Sequence, residues 1–371
     1  MLSKKQKSKD NRIDIYYHHT QSPNGGFGVL GKGIYENLLK DKRFNIVGYN
    51  ELIPTFKPRN IDIIFTYGTP ELVDDIALPL KKSFKKAIHY HYAVWESSEL
   101  PENYLKIYKK VDHMMTASTY TKKSFKKANI ITDIWHHAVD SRFKLISKKK
   151  EANKPFTFLH HNAYEYRKGW EIVLTAFTEE FHLEENVKLI FKARERKHSV
   201  WLFPKFKRWT PELLKLKKEN PDKFNTEYFN FKHPLINEII GHVSDKKMVQ
   251  INSEANVFIF PAKGEGWGLP PFEAAAMGIL PIIPNKSSFT EWFNPECMLE
   301  VKVLGYLNSA PRYPGYMYEC STKDLRKKMR WCFENQDKVK KMGIKASKYI
   351  LKNYNWKKTI NELFEIFNKY K

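Results

Sequence analysis

The sequence is poor in the features that most quickly assign a chain to a class. Cysteine occurs three times in 371 residues, at Cys297, Cys320 and Cys332, with no CxxC spacing. An odd number without a metal-ligand pattern fits free thiols in a reducing compartment better than a disulfide framework or a zinc site. No run of about 18 apolar residues occurs, so no membrane span is expected. The opening "MLSKKQKSKDNRIDIYYHH" is basic but lacks the apolar core of a secretory leader. Few of the 64 basic residues are arginine, the residue that makes bidentate contacts to phosphates and bases, which argues against sequence-specific nucleic-acid recognition. No repeat of solenoid length is present.

What the chain does have is a large apolar content, 42%, with 15% aromatic residues, and a formal charge of +23. The length suits two domains of roughly 150 to 200 residues each rather than one core. The charge is mostly lysine, spread along the chain in runs such as Lys81–Lys86 and Lys122–Lys127, both "KKSFKK". A lysine-rich solvated surface and a real anionic partner both account for it.

Short apolar runs alternate with helical spacing from the start. "RIDIYYHH" leads through "QSPNGGFGVLGKG" to "IYENLLKD", a strand, a glycine loop and a helix. "FNIVGYNEL", "IDIIFTYG", "KAIHYHYAV", "DHMMTAS" and "ITDIWHHAVD" continue the series. Alternation of this kind predicts parallel βαβ units. The charged stretch from Asp140 to Phe156 reads as a linker, after which the alternation restarts with "FTFLHHNA". The segment "SVWLFPKFKRWTPELLKLKKENPDKFN" is a basic, partly helical insertion, and its aromatics around Trp201–Trp209 suit contact with a membrane or a charged glycan. The end of the chain reads as helices.

The richest stretch is Lys263–Gly278, "KGEGWGLPPFEAAAMG", after the strand-like "NVFIFP". Gly264, Gly266 and Gly268 remove side chains so that a ligand can approach the backbone. Pro270 and Pro271 suit the first turn of a helix, and Gly278 suits the position just past its end. A glycine-rich turn feeding a helix start offers N–H groups and a positive dipole end to an anion such as a diphosphate. Glu265 and Glu273 flank this turn. Singly, Glu273 reads as a helix-dipole partner and Glu265 as a solvated loop residue.

Together, "EGWGLPPFE" resembles the E-x7-E signature of retaining glycosyltransferases of family 4 (glycosyltransferase group 1). The surrounding forty residues are similar to that family too, as are "NGGFGVLGKG", "HYAVWESSELPENY", "HHAVDSRF" and "RKGW", in the same order. The resemblance implies an α/β chain of GT-B type, two Rossmann-like domains facing a cleft. An acceptor-binding domain over 1–145 and a nucleotide-sugar domain over 151–352 are expected, with a helix of about 353–371 packing back on the first. It implies Glu265 near the sugar, Gly266, Trp267, Gly268 and Leu269 giving loop amides to sugar and phosphate, and Glu273 on the ribose. Lys168 matches the diphosphate-binding lysine. Many members carry Gly-Arg several residues earlier, where this chain reads "HNAYEYRKG"; Arg167, Lys192 or Arg194 then supplies the second positive charge. The cluster Gly25, Gly26 and Gly28 would be a tight loop near acceptor or donor. His91, with His89 as rival, would stand at a strand end close to the sugar, and His137 would be structural.

No Asp-x-Asp pair stands at a strand end, so the expectation is a metal-independent enzyme with no cofactor beyond a nucleotide-diphosphate sugar as donor. The reaction implied is hexosyl transfer with retention to a glycan, lipid-linked or protein-linked acceptor. The Trp-Glu segment favours GDP-mannose, with UDP-glucose close behind. A cytoplasmic protein is expected, with no membrane contact beyond a peripheral one and no specific nucleic acid. Two other classes stay open: a nucleic-acid- or anionic-membrane-binding protein on an inactive GT-B scaffold, and another GT-B enzyme such as a nucleotide-sugar epimerase.

Overall fold

A computed structural model describes residues 12–21, 25–51, 60–146, 154–193, 234–308 and 312–370. Among these, two compact units form. The first takes the described residues up to Ala138 together with Arg312–Gly315 and Trp356–Tyr370; the second takes Val139–Asn308 and Tyr316–Asn355.

The first unit is built on six parallel strands: β1 (Ile13–His19), β2 (Phe44–Tyr49), β3 (Ile63–Tyr67), β4 (Ile88–Tyr92), β5 (His113–Thr116) and β6 (Thr132–Ile134), in the order β2-β1-β3-β4-β5-β6. All five residues of β3 are buried, as expected of a parallel strand covered on both faces. The predicted glycine loop after β1 is shorter than expected. The helix begins at Gly26 and runs to Lys40, with Gly25 as its N-cap and Gly28 buried inside its first turns. Glycine is needed further along that helix, because a Cβ on Gly31 would strike the His19 ring and one on Gly33 the indole of Trp356. The helix Trp356–Lys369 closes this unit: Phe367 lies against Phe44, Phe65 and Tyr90, and the Trp135 indole N–H donates to the carbonyl of Thr359 at 2.7 Å.

The second unit has β7 (Phe156–Asn162), β8 (Val187–Ala193), β9 (Ile236–Ile240), β10 (Val257–Ile259), β11 (Leu280–Ile283) and β12 (Leu299–Glu300), in the order β12-β11-β10-β7-β8-β9. Its paired strands are parallel. The order reverses between β7 and β10, the topological switch point at whose carboxyl side doubly wound sheets bind ligands. Phe158, Phe177, Phe181, Phe191, Val257 and Ile282 are among the side chains filling its core. The hairpin β13 (Val303–Asn308) and β14 (Tyr316–Cys320) is antiparallel and was not anticipated from the sequence. The basic insertion "SVWLFPKFKRWTPELLKLKKENPDKFN" and residues 147–153 of the expected linker lie outside the described residues. Cys297, Cys320 and Cys332 are free and buried.

Candidate active site

Two loops meet at the switch point of the second unit. One follows β7 and contains the single helical turn Tyr166–Lys168; the other follows β10 and carries Lys263–Gly268. Gly169, the residue that starts the helix Trp170–Glu180, sits at φ +68°. A Cβ there would run into the backbone carbonyl of Pro261 in the second loop, so only glycine lets the loops approach this closely. The backbone N–H of Lys263 donates to the Arg167 carbonyl at 2.7 Å and completes the tie.

This tie brings three of the predicted residues together. Lys168 Nζ and Arg167 Nη1 each stand 2.6 Å from the same oxygen, Glu265 Oε1. Their side chains are 13%, 11% and 7% exposed, so the cluster is largely withdrawn from water. Arg167 also donates to the Gly264 carbonyl at 3.2 Å and pairs through Nε with Glu165 at 2.9 Å. Of the expected second cations that lie among the described residues, Arg167 and Lys192, it is Arg167 that shares Glu265 with Lys168. Lys192 is buried on β8 and donates instead to the Gly241 carbonyl at 2.7 Å. Arg194 lies outside the described residues.

Lys263 was not singled out from the sequence, although it is two residues from Glu265. It is buried and pairs with Glu171 Oε1 at 2.7 Å, with the Tyr166 ring 4.3 Å away. Burial pulls its ammonium down, but Glu171 and the Tyr166 side chain more than offset this and leave it raised. The pair braces the Tyr166–Lys168 turn from beneath.

The loop then passes into the helix Leu269–Ala276. Its N-cap Gly268 is at φ +87°, with a Cβ excluded by the Phe289 ring, and Gly278, just past its end, is at φ +85°. Gly266 and Gly268 are buried and Leu269 is half-buried. Trp267 is buried. Its ring is packed on Phe272 and Tyr354, and its carbonyl accepts from the Trp292 indole N–H at 3.0 Å.

Glu273 is in the second turn of this helix, away from the Glu265 clamp in sequence and in partners. Its carboxyl is pushed up to about 8, by burial first and by the charge of Asp140 next, with Arg142 opposing. Arg142 grips Asp140 with two bonds of 2.9 Å and also pairs with Asp245 at the start of the helix Asp245–Glu254. Asp140 and Asp245 thus share one arginine beside Glu273, a grouping the sequence did not reveal because its members are spread over 133 positions.

In the first unit, His89 and His91 lie on β4, both wholly buried. The Thr66 hydroxyl is 2.8 Å from His89 Nε2 and 2.8 Å from His91 Nδ1. Burial holds His91 well below the usual imidazole range and His89 down to about 3, so both rings are neutral. His137, also buried, packs edge-on to Tyr92. At the corresponding switch point of this sheet, between β1 and β3, Gly68 is at φ +133°, close against Thr20, and Thr20 Oγ1 accepts from the Thr69 N–H at 3.0 Å. Among the described residues, no group of three or more His, Cys, Asp or Glu side chains could hold a metal ion, and no helix is long and apolar enough to cross a membrane.

With this geometry established, the comparisons agree on the class. The profile described as "Glycosyl transferases group 1" matches residues 141–349, and the chain belongs to this family of glycosyltransferases. Its fold is GT-B. The structure of HepE from Anabaena in complex with UDP and glucose aligns at a TM-score of 0.66 with 10% identity, covering 96% of this chain and 100% of that one. Sucrose-phosphate synthase from Thermosynechococcus elongatus aligns at 0.67 with 12% identity over 97% and 99%. A glycosyltransferase from Rickettsia africae aligns at 0.67 with 14% identity over 97% and 98%. No curated protein sequence matches the chain significantly.

Proposed function

We propose that the protein is a retaining, metal-independent hexosyltransferase that takes its sugar from a nucleotide-diphosphate donor held by the second unit. The observation that carries this is the pair of cations, Lys168 and Arg167, at the switch point beside the glycine turn and the start of the helix Leu269–Ala276. Departure of a nucleoside diphosphate leaves negative charge on phosphate oxygens. Preorganised cations and amides aimed at that charge lower the barrier, and do more in a site withdrawn from water. Lys168 and Arg167 take the diphosphate, the amides of Gly266–Leu269 reach phosphate and sugar, Glu265 faces the sugar, and Glu273 accepts from the ribose hydroxyls. Position one residue from the end of β4 supports a place for His91 near the transferred sugar, while its burial limits it to a neutral hydrogen-bonding role.

HepE was determined with UDP and glucose, which supports UDP-glucose as the first donor to test, ahead of GDP-mannose. The acceptor is a glycan, free, lipid-linked or protein-linked, received by a domain spanning 1–145. The charge of +23 suits peripheral contact with an anionic membrane from the cytoplasmic side. A thermal-shift panel of UDP, GDP and their hexose conjugates tests the donor: a selective rise in melting temperature is expected, and no response to any of them overturns the assignment. Anomeric NMR of the new linkage checks retention, and inversion would sink it. Activity is expected to persist in excess chelator; loss that magnesium restores would reject metal independence.

A further inference from the structure

Two buried cations within bonding distance of one oxygen are a costly arrangement unless an anion stands between them. In this structure that anion is Glu265 Oε1, at 2.6 Å from both Lys168 Nζ and Arg167 Nη1. The carboxylate therefore occupies the place that the proposed function gives to a phosphate oxygen. We infer that Glu265 is a built-in counter-ion of the diphosphate site, holding Lys168 and Arg167 in place while the site is empty and displaced from them when the diphosphate enters. The inference rests on the proposed assignment of Lys168 and Arg167 to the diphosphate.

The physical reasoning runs through competition. Both cations have donors fixed on Glu265, and a second anion at the same nitrogens repels the carboxylate in a poorly hydrated pocket. The donor must break two charge-assisted hydrogen bonds before it makes its own. Glu265 thus lowers affinity for the diphosphate while keeping the empty clamp assembled. Once displaced, its side chain is released toward the sugar, where the proposed function needs it. Arg167 keeps Glu165 and the Gly264 carbonyl as partners, and the Lys263–Glu171 pair stays intact beneath the turn, so only the Glu265 contacts have to give way.

The test is binding of UDP and of inorganic pyrophosphate, by calorimetry, to the wild-type protein and to Glu265→Gln, Glu265→Asp and Lys168→Ala. Glu265→Gln is expected to bind both probes about tenfold more tightly than wild type, while melting at lower temperature without ligand and losing transfer activity. Glu265→Asp keeps the charge but is too short to hold both cations, and is expected to fall between; it also serves should Glu265→Gln fail to fold. Equal or weaker binding by the folded Glu265 variants, with Lys168→Ala still impaired, overturns the counter-ion and leaves the site assignment standing. Undiminished binding by Lys168→Ala, or no binding by any of the proteins, overturns the site assignment and the inference with it. A general structural lesion cannot imitate the expected result, since damage does not tighten binding.

Discussion

The two sheets of this protein reverse their strand order in the same way and fill the resulting gaps differently. Between β7 and β10 the gap is lined with charge: Arg167, Lys168, Lys263, Glu171 and Glu265, every one paired and withdrawn from water. Between β1 and β3 the gap holds Thr20 and Thr69 in mutual hydrogen bonds beside Gly68, with neutral imidazoles on the neighbouring strand. Topology provides a crevice in both cases. In the proposed function, side-chain chemistry decides which one takes hold of a phosphate. The gap between β1 and β3 is satisfied by neutral hydrogen bonds, whereas that between β7 and β10 is satisfied by a carboxylate, which, on our inference, a phosphate displaces.

The sharpest way to break this contrast is to remove a cation from the charged gap. Lys168→Ala is expected to cost about 10²–10³-fold in transfer rate, the scale of a lost charge stabiliser, with the melting temperature little changed; near-normal turnover would contradict it. Gly169→Ala comes next. Forcing a side chain into the left-handed region against Pro261 is expected to cost about 1–3 kcal/mol of stability and to weaken UDP binding by separating the loops; denaturant unfolding and calorimetry report the two separately. In the uncharged gap's unit, Thr66→Val would strand His89 Nε2 and His91 Nδ1. A loss of about 1–3 kcal/mol in stability is expected, with UDP binding unchanged, and a parallel loss of UDP affinity would blur the division of labour.

The smallest effect concerns pH. The Glu273 carboxyl is raised to about 8, so below that pH it holds a proton that the unfolded chain releases near the ordinary value. Its contribution to stability is present at low pH and is lost as pH rises toward about 8. A ribose hydroxyl donates to the ionised form, so nucleotide affinity is expected to rise with pH, by at most about tenfold per unit, and to level off near 8. In Glu273→Gln both slopes should flatten; a wild-type affinity independent of pH between about 6 and 8 would count against the ribose contact.

Much of the second unit was legible because its signals are local. Pro270, Pro271 and the bracketing Gly268 and Gly278 mark the helix Leu269–Ala276 within one short stretch. Lys168 and Glu265 are recognisable from the motifs around them. What stayed hidden depends on distance. That Arg167 and not Lys192 turns toward Glu265 is decided by side-chain direction from a turn, which spacing does not encode. The Asp140–Arg142–Asp245 grouping around Glu273 and the Glu171 partner of Lys263 are joined by the fold alone. The hairpin of Val303–Asn308 and Tyr316–Cys320 was missed because its strands are short and half-exposed. Gly26 and Gly28 read as loop residues, yet a helix start tolerates them once β1 and its neighbours fix the chain around it.

The helix Trp356–Lys369 carries a consequence for synthesis. Its Phe367 belongs to the same core as Phe44, Phe65 and Tyr90, and Trp135 bonds to Thr359 across 224 positions of sequence. At a translation rate of about 5–20 residues per second, tens of seconds pass between the appearance of those partners. During that interval the earlier-made sheet lacks the helix that supplies these partners, while the strands of the second unit, from Phe156 to Cys320, are themselves being made. The second unit has its whole chain once Asn355 is made, and the first only when Trp356–Lys369 follows, so the unit begun first is the last to receive its final element.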